Sequence, residues 1–276
     1  MPTMQNPDPV PSVLLDKEAR LKALLAGYGA VVIAYSGGVD STYLSDVAHE
    51  VLGAHAHILL ADSPSIPRSE LAEGVNLAHG RGWNFHVVRT HEFDDEHYLR
   101  NDGRRCYYCK IELFRTMKEH AIRHDVAVMA YGANADDLLD PTRLGAVAAA
   151  ERDVVAPLQI VGMTKADIRQ LSERRRLPTA DKPAFACLAS RFPKGIPVTL
   201  EDMGKVERAE ELLRSLGFRQ YRARHHGDLC RIEVDLRDLP KVLQDSVRTV
   251  LVAELTRIGY RFVTIDLAGY RSGSSA

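Results

Sequence analysis

From Leu14 to Tyr28, "LLDKEARLKALLAGY" sets apolar residues at helical spacing, and the "AVVIAY" that follows is a short apolar run of strand length. The same switch of period recurs along the chain. "AHAHILLAD" (Ala54 to Asp62), "FHVVRT", "VAVMAYG" (Val126 to Gly132) and the short "VVAPL" (Val154 to Leu158) predict four further strands. Between them, a helix opening after Ser41, then "SELAEGVNLAHGRG" and "CKIELFRTMKEHAIRHD", predict helices. Strands alternating with helices predict an α/β fold, a doubly wound parallel sheet covered on both faces. Ligands of such sheets bind beyond the carboxyl ends of the strands.

After "KPAFACLASRFPKGIPVT" the pattern changes. "LEDMGKVERAEELLRSLGF" predicts an amphipathic helix ended by Gly217, and "RQYRARHHGDLCRIEVD" a hairpin turning at His226 and Gly227. "LPKVLQDSVRTVLVAELTRIGY" predicts one helix and "RFVTIDL" a last strand. The expected organisation is a Pro-rich disordered lead-in over 1–12, an α/β domain over 13–196 and a smaller C-terminal α+β domain over 197–276.

Composition narrows the function classes. With 276 residues and 45% hydrophobic composition the chain can bury a sizeable core, and its formal net charge of −1 shows no basic excess to attract nucleic acid or membrane surfaces. "MPTMQNPDPVPS" has neither the apolar core of a signal peptide nor the pattern of a transit peptide. No apolar run approaches the roughly 20 residues that cross a bilayer, so a cytoplasmic setting with reduced thiols is expected. In that setting Cys106, Cys109, Cys187 and Cys230 point to metal or catalysis before disulfides.

The first strand runs into "SGGVDS" (Ser36 to Ser41). Gly37 and Gly38 permit close backbone approaches, and Ser36 and Ser41 add hydroxyl donors, so N–H groups can converge on a polyphosphate at the start of the next helix. Asp40 beside an anion needs backbone N–H groups, a metal ion or the helix start as its partner. A strand-to-helix turn capped by Ser and Asp, with no ligand, is the plain alternative. The Walker spacing and its lysine are absent.

The full string "SGGVDS" resembles the signature of the PP-loop ATP pyrophosphatases, which cleave ATP between the α and β phosphates. Two further stretches agree. "YGANADD" resembles that family's second nucleotide-side loop, implicating Gly132 and Asp136, and "ADSPS", with Ser63, lies where such folds receive adenine and ribose. "KPAFACLASRFPKG" resembles the cysteine loop of the LarE family, ATP-dependent sulfur transferases of nickel-pincer nucleotide synthesis. "DPTRLGAVAAAE", "RSLGFRQYRARHHGD", "RIEV" and "GYRFVTIDLAGYRSG" extend that similarity along nearly the whole chain.

The resemblance implies that ATP, with Mg2+, adenylates a carboxylate of pyridinium-3,5-biscarboxylate mononucleotide and that sulfur displaces AMP to leave a thiocarboxylate. A carboxylate must be activated first, because oxide is a poor leaving group and a phosphate monoester a good one. The attack passes through an oxyanion that donors and cations stabilise. Lys110, Ser190 and Arg191 are the candidates for that role, against plain readings as a solvated lysine and a capping Ser-Arg pair.

One branch of the family carries a single cysteine, matching Cys187, and gives up its own sulfur. "RRCYYCK" here adds Cys106 and Cys109, which resembles the branch that holds a 4Fe-4S cluster on three cysteines and delivers sulfide from it. A CxxC pair alone also fits zinc, with Cys230 or His225 as a further ligand, although Cys230 in "LCRIEV" reads as a buried strand thiol. Arg222 and Arg224, two apart on a predicted strand, share a face and suit the nucleotide's phosphate, or else form a solvent-facing edge. Glu210 matches a metal-associated position only loosely, and on a helix with Glu207 and Glu211 nearby it reads as solvated surface. The expected partners are a small nucleotide, sulfide or a sulfur donor, and further copies of the chain in a homo-oligomer, without nucleic acid or membrane. The alternatives are a PP-loop tRNA thiolase, which calls for a basic RNA-binding surface that this chain lacks, and a noncatalytic nucleotide- or metal-binding protein.

Overall fold

The computed structural model describes residues 11–139, 144–183 and 186–271. All but the end of the expected N-terminal lead-in therefore lies outside the described residues. In chain order the elements are α1 (Ser12–Tyr28), β1 (Val31–Tyr35), α2 (Val39–Leu52), β2 (Ala56–Asp62), α3 (Arg68–Gly80), β3 (Phe85–Arg89) and α4 (Glu96–Leu99). Next come α5 (Arg105–Arg123), β4 (Val128–Tyr131), α6 (Leu144–Glu151), β5 (Val154–Val155), α7 (Pro157–Ile160) and α8 (Lys165–Arg174). The last are α9 (Leu200–Ser215), β6 (Tyr221–His226), β7 (Leu229–Val234), α10 (Leu239–Val242), α11 (Asp245–Ile258) and β8 (Phe262–Ile265).

The chain divides into two compact units. One comprises Met1–Asp62, Ser69–Thr90 and Lys110–Phe185, the other Ser63–Arg68, His91–Cys109 and Ala186–Ala276. In the first, five parallel strands run in the order β3-β2-β1-β4-β5 with flanking helices, an α/β doubly wound arrangement. All five residues of β1 are buried, which is why "VVIAY" is continuously apolar rather than alternating. Leu21 and Leu25 of α1, Tyr43, Leu44 and Val47 of α2, and Ile168 and Leu171 of α8 pack with Val31, Ile33, Ile58 and Leu60 in one core.

The strand order reverses at β1. From β1 the chain steps to β2 and β3 on one side, then returns to β4 on the other, with Val31 opposite Val128 and Ala34 opposite Tyr131. The loops leaving β1 and β4 thus lie side by side at a topological switch point, the place where α/β sheets bind ligands.

In the second unit β6 and β7 form the predicted hairpin, turning at Gly227 with φ of 66°, and β8 adds to β7 in parallel. Ala209 and Leu213 of α9 pack against Ala223, Cys230, Ile232 and Val234 of the sheet and against Leu251 and Leu255 of α11. The helix predicted across Leu239 to Tyr260 is two helices, α10 and α11, because the chain leaves helical geometry at Gln244 (ψ of 134°), where α11 begins anew. No helix among the described residues is long and apolar enough to cross a membrane.

Candidate active site

The loop after β1 has the conformation that its glycines permit. Gly37 sits at φ of 71°, the left-handed region that a side chain disfavours. Ser41 ties the loop together: its Oγ accepts from the Ser36 N–H at 3.1 Å, meets Ser36 Oγ at 3.0 Å and donates to the Gly38 carbonyl at 3.2 Å. No side chain caps α2, so the first amides of this 14-residue helix keep their capacity for an anion.

The loop after β4 presses onto this one. A Cβ on Gly132 would stand 2.8 Å from Ser41 N and 2.9 Å from Ser41 Cα. Asp40 is held at one oxygen only: Oδ2 accepts from Lys165 Nζ at 2.6 Å and from Asn134 Nδ2 at 3.3 Å, whereas Oδ1 is buried with no hydrogen-bond partner. Asp136, exposed, accepts the Lys165 N–H at 2.8 Å. Ser36, Gly37, Gly38, Asp40, Ser41, Gly132 and Asp136 therefore meet at one place. Lys165 is the participant that sequence reasoning missed. The signal was "TKAD", in which Thr164 and Asp167 form a reciprocal capping box that sets Lys165 in the first turn of α8.

These features suit ATP with Mg2+. Uncapped amides fit a polyphosphate, and an orphaned carboxylate oxygen beside it fits the usual Mg2+ mode of one or two carboxylates plus phosphate.

The cysteines Cys106, Cys109 and Cys187 belong to the second unit. Cys106 is exposed, and Cys109 and Cys187 are half-buried. Two side chains, buried Asn101 and half-buried Arg105, bring their segments together. Asn101 Nδ2 donates to the carbonyls of Pro193 and Ile196 at 2.8 and 3.0 Å, and Arg105 donates to the Ala189 carbonyl at 2.6 Å and to Asn101 Oδ1 at 2.7 Å. Cys109 and Cys187 border one apolar cluster of Tyr98, Leu188, Ala189 and Phe192. Burial first, then these two thiols, push the Tyr98 phenol above its ordinary pKa.

The three thiols do not converge to the spacing of a single-ion site, which among the described residues is met only by a trio of histidines elsewhere. A cluster asks less, since its thiolates bind different irons and need not crowd one point. Cys187 also opens a short turn, Leu188–Arg191, with its carbonyl accepting from the Ser190 N–H at 2.9 Å.

That turn is clamped by two buried arginines. Arg191, fully buried, pairs both oxygens of Glu210 at 2.7 and 2.8 Å and donates to the carbonyls of Ala186 and Cys187 at 2.6 and 3.0 Å. Arg224 pairs both oxygens of Glu233 at 3.0 Å and donates to the Ser190 carbonyl at 2.8 Å. Glu210 also accepts the Ala223 N–H at 3.1 Å, so it joins α9 to β6. Arg222 is different. It is half-buried, donates to the Tyr221 carbonyl at 2.7 Å and to Tyr270 Oη at 3.2 Å, and lies over the Tyr270 ring at 4.8 Å. Burial, then the Arg191 charge, hold its pKa below the ordinary value, so an added anion there would meet a partly desolvated cation.

Ser63 is buried, bonded to Ser65 Oγ at 2.7 Å and to Glu92. The Ser65 carbonyl accepts the Leu188 N–H at 2.8 Å, so this segment also braces the Cys187 turn. Lys110, half-buried, follows Cys109 on α5 and lies 5.8 Å over the Phe114 ring. Cys230 lies in the apolar core of its unit, and burial pushes its thiol up to about 12.

An uncapped helix start at a switch point in one unit and a cysteine turn braced by buried ion pairs in the other mark an α/β protein of the doubly wound class. The comparisons refine that class. No family model matches the chain. It is 40% identical over 259 residues to an uncharacterized protein of Synechocystis sp., covering 93% of this chain and 96% of the relative. It is 32% identical over 263 residues to the pyridinium-3,5-bisthiocarboxylic acid mononucleotide synthase of Lactiplantibacillus plantarum, covering 95% and 94%. An uncharacterized protein of Methanocaldococcus jannaschii is 27% identical over 88% of this chain and 91% of its own. The chain belongs to the family of that synthase, the LarE family.

Proposed function

We propose that this chain is an ATP-dependent sulfur transferase of nickel-pincer nucleotide synthesis, acting on pyridinium-3,5-biscarboxylate mononucleotide. The observation that carries this reading is the near full-length likeness to the L. plantarum synthase, whose name states the product. The loop geometry supports the first half-reaction. A substrate carboxylate oxygen attacks the α phosphorus of ATP, the bond to the β phosphate breaks, and pyrophosphate leaves toward the amides of Gly37, Gly38 and the first turn of α2. Asp40 would hold Mg2+ through its unpartnered oxygen, and the ion would neutralise phosphate charge there. Ser63 lies at the start of the segment assigned to the adenosine side.

In the second half-reaction a sulfur nucleophile adds to the acyl carbon, and the intermediate collapses with loss of AMP. Cys106, Cys109 and Cys187 would hold a 4Fe-4S cluster, which supplies a place for transferable sulfide. The protein's own part is to fix Cys187 through the Arg191 and Arg224 clamps on its turn. Ser190 serves the oxyanion, Arg191 sets the Cys187 carbonyl, and Arg222 meets the substrate phosphate, while Arg224 holds the Ser190 carbonyl.

The test is turnover by anaerobically purified protein supplied with ATP, the dicarboxylate mononucleotide and sulfide. The expected result is AMP and pyrophosphate in step with exchange of one oxygen for sulfur in the nucleotide, seen by mass. Cys187→Ala should still release pyrophosphate but form no thiocarboxylate. A wild-type protein that binds ATP but leaves the dicarboxylate unchanged with sulfide present would overturn the reading.

A further inference from the structure

Four imidazoles gather in the first unit, on residues that the sulfur chemistry does not use. His57 lies on β2 and His86 on β3, the edge strand, where His86 sits opposite Leu59. Residues two apart on a strand and residues opposite each other in register share a face, so His57, Leu59 and His86 point the same way. His120 lies in the last turn of α5 and His124 one residue past its end, where its N–H donates to the His120 carbonyl at 3.2 Å and keeps the two on one side. The spacing is visible in "HAIRH", a pattern that places two imidazoles for one metal ion on a helix.

The two faces meet. His57 Nδ1 and His120 Nε2 are 3.1 Å apart, and the His86 ring lies 4.7 Å from the His120 ring and 5.8 Å from the His57 ring. One ring nitrogen from each of His57, His86 and His120 lies within 4.8 Å of the other two. His124, exposed, has its ring 4.2 Å from that of His120 and 5.0 Å from that of His57.

We propose that His57, His86 and His120 form a binding site for a divalent transition-metal ion of the zinc class, with an open fourth position beside His124. Two observations favour an ion over a packed histidine core. Two nitrogens of a tetrahedral zinc site, bonded at 2.0–2.1 Å, lie roughly 3.3 Å apart, close to the separation of His57 and His120. The Asn84 side-chain oxygen lies 3.1 Å from His86 Nε2. As the acceptor of that proton it leaves Nδ1 with its lone pair, the arrangement by which outer partners orient metal-bound imidazoles. The ion would tie the last turns of α5 to the β2-β3 edge. This site uses no cysteine and stands or falls apart from the sulfur-transfer reading.

Cobalt serves as the probe, because its spectrum reports both ligand type and geometry. In the full chain stripped of metal and carrying Cys106→Ser, Cys109→Ser and Cys187→Ser, thiolates cannot compete. The expected result is one Co2+ per chain with the visible absorption of a four-coordinate site and no near-ultraviolet thiolate band, displaced by one Zn2+. His86→Gln, at a half-buried edge position, should weaken binding on the order of a hundredfold. Zn2+ should also move the ring 15N resonances of three histidines in the same serine-substituted chain, a measurement that needs no histidine variant. Absence of bound Co2+ in that chain, unmoved ring nitrogens, or undiminished binding by a folded His86→Gln chain would each overturn the proposal.

Discussion

Gly132→Ala tests the nucleotide reading at a position where a single methyl group decides the outcome. The new Cβ would stand 2.8 Å from Ser41 N, 2.9 Å from Ser41 Cα and 3.2 Å from the Asp40 carbonyl carbon, against 3.4 Å for the shortest ordinary contact. The deficit is 0.6 Å, the difference between 3.4 and 2.8 Å, and every atom met is backbone, so no side chain can swing aside. The first turn of α2 must withdraw from β4, carrying with it the hydrogen bonds of Ser41 to Ser36 and Gly38. Overpacking of this kind costs about 1–3 kcal/mol. If the amides of that turn hold the phosphates, an equal share lost from binding weakens ATP about fivefold to 150-fold. Calorimetric titration with ATP measures this, with thermal melting in parallel. Gly27→Ala is the control, since its Cβ would meet nothing within 4 Å. A folded Gly132→Ala protein that binds ATP within about twofold of wild type would refute the placement of the nucleotide, whatever its melting temperature.

Removing the carboxylate in Glu210→Ala leaves the fully buried Arg191 charge uncompensated, a change that costs about 3–5 kcal/mol in other buried pairs; urea unfolding should show it, and a loss under about 1 kcal/mol would mean that Arg191 finds another partner. Native alkylation followed by mass mapping should label exposed Cys106 first and leave Cys230 unmodified at pH 8, because burial holds that thiol near 12; early labelling of Cys230 would contradict its place in the core. Burial, opposed by Asp202 and aided by Lys205 and His226, lowers the His225 pKa, so between the folded value and about 6.5 the unfolded chain binds more protons. Its contribution is complete above that range and is lost as pH falls through it; His225→Gln should flatten the slope of unfolding free energy with pH, and an unchanged slope would assign that titration elsewhere.

Period and punctuation made the strands of both sheets legible, because each is written in adjacent residues: continuous burial in "VVIAY", a glycine turn between "YRARHH" and "LCRIEV". They also placed "SGGVDS" and "YGANADD" at strand ends, and the strand order then set those ends side by side. What adjacency does not encode is which distant side chain answers a charge. Nothing near Asp40 in the chain announces Lys165, 125 positions on, and nothing near Cys109 announces that Asn101 and Arg105 hold the loop of Cys187. The histidines show the same limit from the other side. "HAIRH" alone marks a helix face, and a single histidine in "FHVV" marks nothing until register sets it across from Leu59. The two strand arginines sharpen the point. Alternation says that Arg222 and Arg224 share a face, but only the fold separates them: Arg224 is neutralised by Glu233 while Arg222 meets an aromatic ring and a hydroxyl. A desolvated guanidinium gains most from an anion when no carboxylate already fills its fork. On that ground Arg222→Lys should raise KM for the mononucleotide more than it lowers kcat, whereas Arg224→Lys should act through the stability of the Cys187 turn and lower the melting temperature. The reverse pattern, a folded Arg224→Lys enzyme with raised KM and an Arg222→Lys enzyme unchanged, would move the phosphate to Arg224.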